Sequence, residues 1–280
     1  MRTRILGFVA VLLVVGGIGV AMFRGGVGPL PNPESCRARV GGVIVDLTPE
    51  QAHNATLISA LGVRRGLPAR AVSIAFATAY QESKLRNLDH GDRDSLGLFQ
   101  QRPSQGWGTK RQVQDPYHAT NAFYDALAKV DGFETMRITQ AAQKVQRSGY
   151  PEAYEPHAAD SRALASALTG YSPNGRFSCV VHPLRGKKGT AGPAIADLEK
   201  GFGSLDTARG ARQDFSVTVG TGLDADRRAW AVAQYLVAHA ADLKIESVSL
   251  DGRRWRVGTQ SELGWTRATT KTGQVSVSLG

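Results

Sequence analysis

Apolar and polar positions along the chain sort it into one long uncharged run, a series of helical stripes and, near the end, strict alternation. Ile5 to Phe23, ILGFVAVLLVVGGIGVAMF, carries no charge and as a helix is long enough to cross a hydrocarbon core of roughly 30 Å. Arg2 and Arg4 precede it, which predicts a cytoplasmic N-terminus with the bulk of the chain outside. No A-x-A-like cleavage site follows at Phe23-Arg24-Gly25-Gly26, so a retained single-pass anchor over residues 1–24 is expected rather than a cleaved signal peptide. Residues 25–47 are rich in Gly and Pro at their start and read as a tether, with a short extended run from Val40 to Val45.

Helical spacing begins at Thr48-Pro49-Glu50-Gln51, where a capping Thr, a Pro at the first position and a Gln at the third mark a helix start. Ala52, Ala55, Ile58 and Leu61 supply its apolar stripe, and Gly66 stops it. Leu67-Pro68 opens a second helix whose stripe runs through Val72, Ala75 and Ala79 to Glu82. A carboxylate on that stripe is an odd placement, and the alternative reading is a partly exposed Glu in the final turn paired with Lys84 or Arg86. Asn87 to Ser95 is a polar loop, and further helices are expected from Asp115-Pro116 to Val130, from Thr139 to Val145 and from Ala158 to Leu168. Residues 48–172 therefore read as an all-helical domain. Gly and basic residues across 173–193 read as a linker. Beyond it the period switches to two at Phe215–Val219 and Ile245–Leu250, with a helix capped at Asp224 and an Asp251-Gly252 hairpin signal, so 194–280 reads as a small α+β domain.

Composition changes this picture little. An apolar share of 42% permits a sizeable core, and the net charge of +10 predicts a polyanionic neighbour. An extracytoplasmic location disfavours nucleic acid as that neighbour and points to anionic wall polymers or lipid headgroups. The two cysteines, Cys36 and Cys179, are expected to form one disulfide in an oxidising compartment. The Cys179-x-x-His182 spacing lacks the further ligands a zinc site needs, so no metal and no cofactor are expected.

The chemistry gathers between Ala79 and Thr109. Asp89, Asp92 and Asp94 do not match the spacing of a calcium loop and read as a hydrogen-bonding loop. Glu82, at the apolar end of its helix, is placed to act as a general acid, because burial disfavours the charged carboxylate and raises its pKa.

Glu82-Ser83-Lys84-Leu85, followed by Ser95-Leu96-Gly97-Leu98-Phe99-Gln100, resembles the E-S-x-[FL] and G-L-[MF]-Q motifs of the lytic transglycosylase and goose-type lysozyme superfamily. TPEQ at 48 to 51, RGLPARA at 65 to 71 and DRDSLGLFQQRPSQGWGT at 92 to 109 are similar to the lysozyme-like domain of actinobacterial membrane-anchored cell-wall proteins. The resemblance covers Thr48 to Leu168 and implies a mainly α fold: a lysozyme-like helical domain, preceded by one transmembrane helix and followed by the α+β domain. It implies that Glu82 is the acid/base cleaving the MurNAc-GlcNAc β-1,4 bond of peptidoglycan. Ser83, Gly97, Leu98, Phe99, Gln100 and Tyr154 are then expected along the glycan groove, with Phe99, Trp107, Tyr117 and Tyr154 as candidate stacking surfaces. Asp89, Asp92 and Asp94 are the candidates for activating a water should the outcome be hydrolysis. The family's Y-[NA]-x-G segment is absent; SGYPEAYE at 148 to 155 stands in its region, leaving Tyr150 or Tyr154 to face the acid. The alternative expectation is a non-catalytic peptidoglycan-binding or envelope-assembly protein of the same fold. The C-terminal domain is a candidate for recruiting a protein partner.

Overall fold

The computed structural model describes residues 32–186, 188–210 and 213–280. Strands β1 (Ser35–Val40) and β2 (Val43–Leu47) form a hairpin through Gly41-Gly42, both at positive φ. Helices α1 (Pro49–Arg64) and α2 (Ala69–Ser83) follow, then α3 (Lys110–Gln114), α4 (Pro116–Leu127), α5 (Ile138–Gln146) and α6 (Ala158–Leu168). Strand β3 (Phe177–Val180) and helix α7 (Ala191–Phe202) precede β4 (Asp206–Arg209) and β5 (Phe215–Thr218). The chain closes with α8 (Leu223–Ala238), α9 (Ala240–Leu243), β6 (Ile245–Leu250), β7 (Arg253–Arg256), β8 (Thr266–Arg267) and β9 (Gln274–Leu279).

The expected mainly α class is corrected by this arrangement: the described residues are mixed α/β, 46% helical and 18% strand, with two antiparallel sheets among them. The first sheet has the order β2-β1-β3 and the second β4-β5-β9-β6-β7-β8. The three-stranded sheet joins segments that read as tether and linker. Its β1–β2 pairing is a local hairpin, but β3 joins β1 from far along the chain, and a four-residue strand that pairs only at long range leaves little local signal. No helix among the described residues is long and apolar enough to cross a membrane; the expected anchor, Ile5–Phe23, lies outside the described residues.

The local rules hold where they concern helix ends. Thr48 accepts from the Gln51 backbone N–H and Gln51 Oε1 accepts from the Thr48 N–H, closing the capping box that starts α1. Helix α1 is lined with Ala, Ser and Gly and α2 with Ala and Ser, which let neighbouring helices approach closely. Residues 71–79 of α2 are buried on every side, and so are residues 229–238 of α8. Helix α8 lies between α1 on one side and the six-stranded sheet on the other.

From Glu34 to Gly280 the chain is one compact unit. The joints are specific. Cys36 pairs with Cys179 across β1 and β3 in the register that carries their disulfide, as expected from the cysteine count. On the other edge of β3, Trp265 Nε1 donates to the Phe177 carbonyl and Trp255 Nε1 to the Cys179 carbonyl, each at 2.9 Å. Two indoles from the C-terminal sheet thus satisfy an edge that would otherwise stand open. The His53 ring on α1 stacks on His239 at 4.3 Å, and His239 stacks on Tyr235 of α8 at 4.1 Å.

Candidate active site

Helix α2 brings Glu82 from the core to the surface in its last turn. The helix then ends on two consecutive left-handed residues, Lys84 (φ 55°) and Leu85 (φ 58°). Such a conformation costs a non-glycine residue about 1 kcal/mol or more, so something must hold it. Helix α1 does: Gln51 Nε2 donates to the Lys84 carbonyl and Asn54 Nδ2 to the Leu85 carbonyl, both at 2.8 Å, while the Leu85 side chain is fully buried. The direction in which Glu82 leaves its helix is therefore set from a neighbouring element.

The 96–101 loop is fastened to the same helix end. Ser83 Oγ donates to the Leu98 carbonyl at 2.7 Å, and Leu96 and Gln101 exchange backbone hydrogen bonds. Gly97 sits at φ 78°, where a Cβ would run into the Val113 carbonyl oxygen, so only glycine fits. The Gln100 amide donates to the carbonyls of His90 (3.1 Å) and Gly97 (3.3 Å), closing the polar loop over itself.

Glu82 is half-buried, and its two carboxyl oxygens differ. Tyr154 Oη donates to Oε1 at 2.9 Å and Gln146 Nε2 donates to the same atom at 3.2 Å. Gln146 Nε2 also reaches the Phe99 carbonyl at 2.8 Å, so one amide joins the acid to the loop. Among the described residues Oε2 has no hydrogen-bond partner. Burial raises the Glu82 pKa above the ordinary carboxyl range, against the smaller lowering effect of the two hydrogen bonds. Burial and the adjacent carboxylate push the Tyr154 phenol up as well, which keeps it a neutral donor.

No family model and no curated protein sequence matches the chain.

The expected site residues fall into three groups. Glu82, Ser83, Gly97, Gln100 and Tyr154 are brought together with the 96–101 backbone. Leu98 and Phe99 belong to the same loop but are fully buried, Phe99 stacking on Phe123 at 4.7 Å, and their carbonyls accept from Ser83 Oγ and Gln146 Nε2, so neither residue is open to a ligand as expected. The three aspartates share no hydrogen-bonded partner with Glu82. Asp94 is engaged by Arg102 Nε (2.8 Å), the Ser104 N–H (2.8 Å) and Ser104 Oγ, and the guanidinium and backbone bonds hold its carboxyl well below the usual range. Asp89 pairs with His90, also lowering its pKa, and Asp92 is exposed. Tyr117 turns the other way, its hydroxyl 3.5 Å from that of Tyr235. Among the described residues no group of three His, Cys, Asp or Glu is gathered as a metal site would need.

Tyr154 rather than Tyr150 faces the acid; Tyr150 stands 79% exposed in the turn before it. Gln146 escaped sequence reasoning. Its only one-dimensional trace is Gln143 and Gln146 at i and i+3 beside the apolar stripe of α5, a pattern common on solvated helix faces.

Proposed function

We propose that the protein is a membrane-tethered peptidoglycan lytic transglycosylase acting outside the cytoplasm, with Glu82 as its single acid/base. One observation carries this reading: a half-buried carboxyl of raised pKa whose Oε1 is held by Tyr154 and Gln146 while Oε2 is free to work. In the protonated state, Oε2 gives its proton to the glycosidic oxygen between MurNAc and GlcNAc as that bond breaks. The resulting carboxylate then removes the proton of the muramyl 6-hydroxyl as its oxygen bonds to C1. The product is a 1,6-anhydro ring, and the proton has returned to Glu82. This sequence needs no second carboxylate, in keeping with Asp89 and Asp94 being engaged by other partners and Asp92 being exposed. The expected contact surface is the partly exposed part of the 96–101 loop, Leu96 and Gln100. Support for the location comes from the charge-free run Ile5–Phe23 and from the Cys36–Cys179 disulfide, which suits an oxidising compartment.

The test is product analysis by mass spectrometry after incubation with purified peptidoglycan. The wild-type chain is expected to release anhydro-muropeptides and Glu82→Gln to do so about 10²- to 10⁴-fold more slowly, the usual worth of a general acid. Equal release by both would remove Glu82 from the mechanism. Release by neither, with both co-sedimenting with sacculi, would establish a binding protein instead.

A further inference from the structure

The outer end of the six-stranded sheet carries an arrangement that the glycan chemistry does not use. Strands β7 and β8 pair with Arg253 directly opposite Arg267, and the turn leading into β7, Asp251-Gly252, has both residues at positive φ (45° and 72°). Directly opposed side chains on one face of an antiparallel pair lie within reach of each other, and like charges there are destabilising. Neither guanidinium forms an ion pair among the described residues. Beside them opens a cleft of ≈ 550 Å³, lined by both arginines together with Asn174, Asp251, Gly252 and Thr269. The Asn174 amide has no hydrogen-bond partner among the described residues. Asp251 is the one carboxylate on the lining. Burial together with Asp226 raises its pKa, against the lowering effect of the Trp230 side chain. Arg254 and Arg256 alternate to the other face of β7 and add to the local positive potential.

We propose that this cleft is a binding site for a phosphate group, gripped by the Arg253–Arg267 pair. Two planar guanidinium forks match the oxygen pairs of a tetrahedral phosphate, and a bound dianion converts their mutual repulsion into a bridge. The Asn174 amide supplies a neutral donor on the same wall. This site shares no residue with the Glu82 cluster, and its existence does not depend on what Glu82 does. The phosphate is either a free ion or a phosphodiester carried by a lipid headgroup or wall polymer.

Isothermal titration calorimetry on the full-length chain in neutral detergent at low ionic strength tests this with two probes, inorganic pyrophosphate and glycerophosphoglycerol. R253Q/R267Q is expected to weaken binding at least tenfold, while the charge-matched K110Q/R111Q leaves it unchanged. R253K/R267K, which keeps the charge and loses the forks, should fall between wild type and the glutamine pair. Its near-native structure keeps the comparison valid should the glutamine pair fold poorly. Binding of pyrophosphate alone identifies a free phosphate ligand; binding of the diester identifies the headgroup or polymer. Absence of binding by wild type, equal affinity in wild type and R253Q/R267Q, or an equal loss in K110Q/R111Q would overturn the proposal.

Discussion

At the scale of the residue, Glu82 is a carboxyl placed against its own solvation. Its folded pKa lies above the value near 4.5 of an unperturbed glutamate, so the native state binds the proton more tightly than the unfolded chain. Stability from this group is complete below about pH 4.5 and is lost as pH rises through the folded value. Glu82→Gln, which removes the charge and keeps the shape, is therefore expected to raise the melting temperature at pH 7, by about 2 to 4 °C for each kcal/mol relieved. The gain should vanish toward pH 4.5, as thermal denaturation across pH would show. Tyr154→Phe acts in the opposite sense on the same group. The phenol stabilises the carboxylate, so its loss raises the Glu82 pKa further. The alkaline limb of the pH profile for anhydro-muropeptide release should move up. The fold should lose about 1 kcal/mol, the usual worth of one buried hydrogen bond. An alkaline limb that stays in place would mean that Glu82 is not the group titrating in that profile.

At the scale of the element, the site is a junction of a helix end and a loop, each held by neighbours. Helix α1 restrains Lys84 and Leu85, Ser83 ties the helix end to Leu98, and Gln146 of α5 ties Glu82 to Phe99. The tightest point is Gly97, which combines a positive φ with a close approach to the Val113 carbonyl and whose own N–H donates to the Leu88 carbonyl at 2.7 Å. Gly97→Ala must move either α3 or the loop. A loss of at least about 2 kcal/mol in urea unfolding is expected, larger than the usual surface substitution, with activity falling alongside. A variant that melts like wild type would show that the loop shifts freely and is not braced against α3.

At the scale of the whole molecule, the two sheets and the helices between them depend on one another. Helix α1 is covered by α8, and the edge of β3 is capped by Trp255 and Trp265, so a chain ending at Thr190 would expose the buried face of α1 and two β3 carbonyls. Such a chain is expected to lack a cooperative melting transition in circular dichroism, even with the Cys36–Cys179 disulfide intact. That bridge closes a separation of 143 residues, which in the chain-entropy model is worth roughly 4 to 5 kcal/mol to the intact protein. A sharp transition in the shortened chain would show that the helical half folds alone.

Local chemistry in the sequence was enough to determine the helix starts at Thr48, Asp115 and Ala158, the Asp251-Gly252 hairpin and the unusual position of Glu82, because capping, turn type and helical spacing depend only on residues a few positions apart. The cysteine pairing was legible for a different reason: two cysteines allow one bridge. The three-stranded sheet was not legible, since β3 joins the β1–β2 hairpin only when the chain returns after more than a hundred residues, and these strands lie in segments whose composition reads as tether and linker. Nor was the choice of Tyr154 over Tyr150, or the role of Gln146, because each depends on where α5 and the following turn lie against the end of α2. The sequence by itself singled out Glu82 as the candidate acid; tertiary packing alone decided which groups hold one of its oxygens and leave the other free, since those groups meet only through contacts distant in the chain.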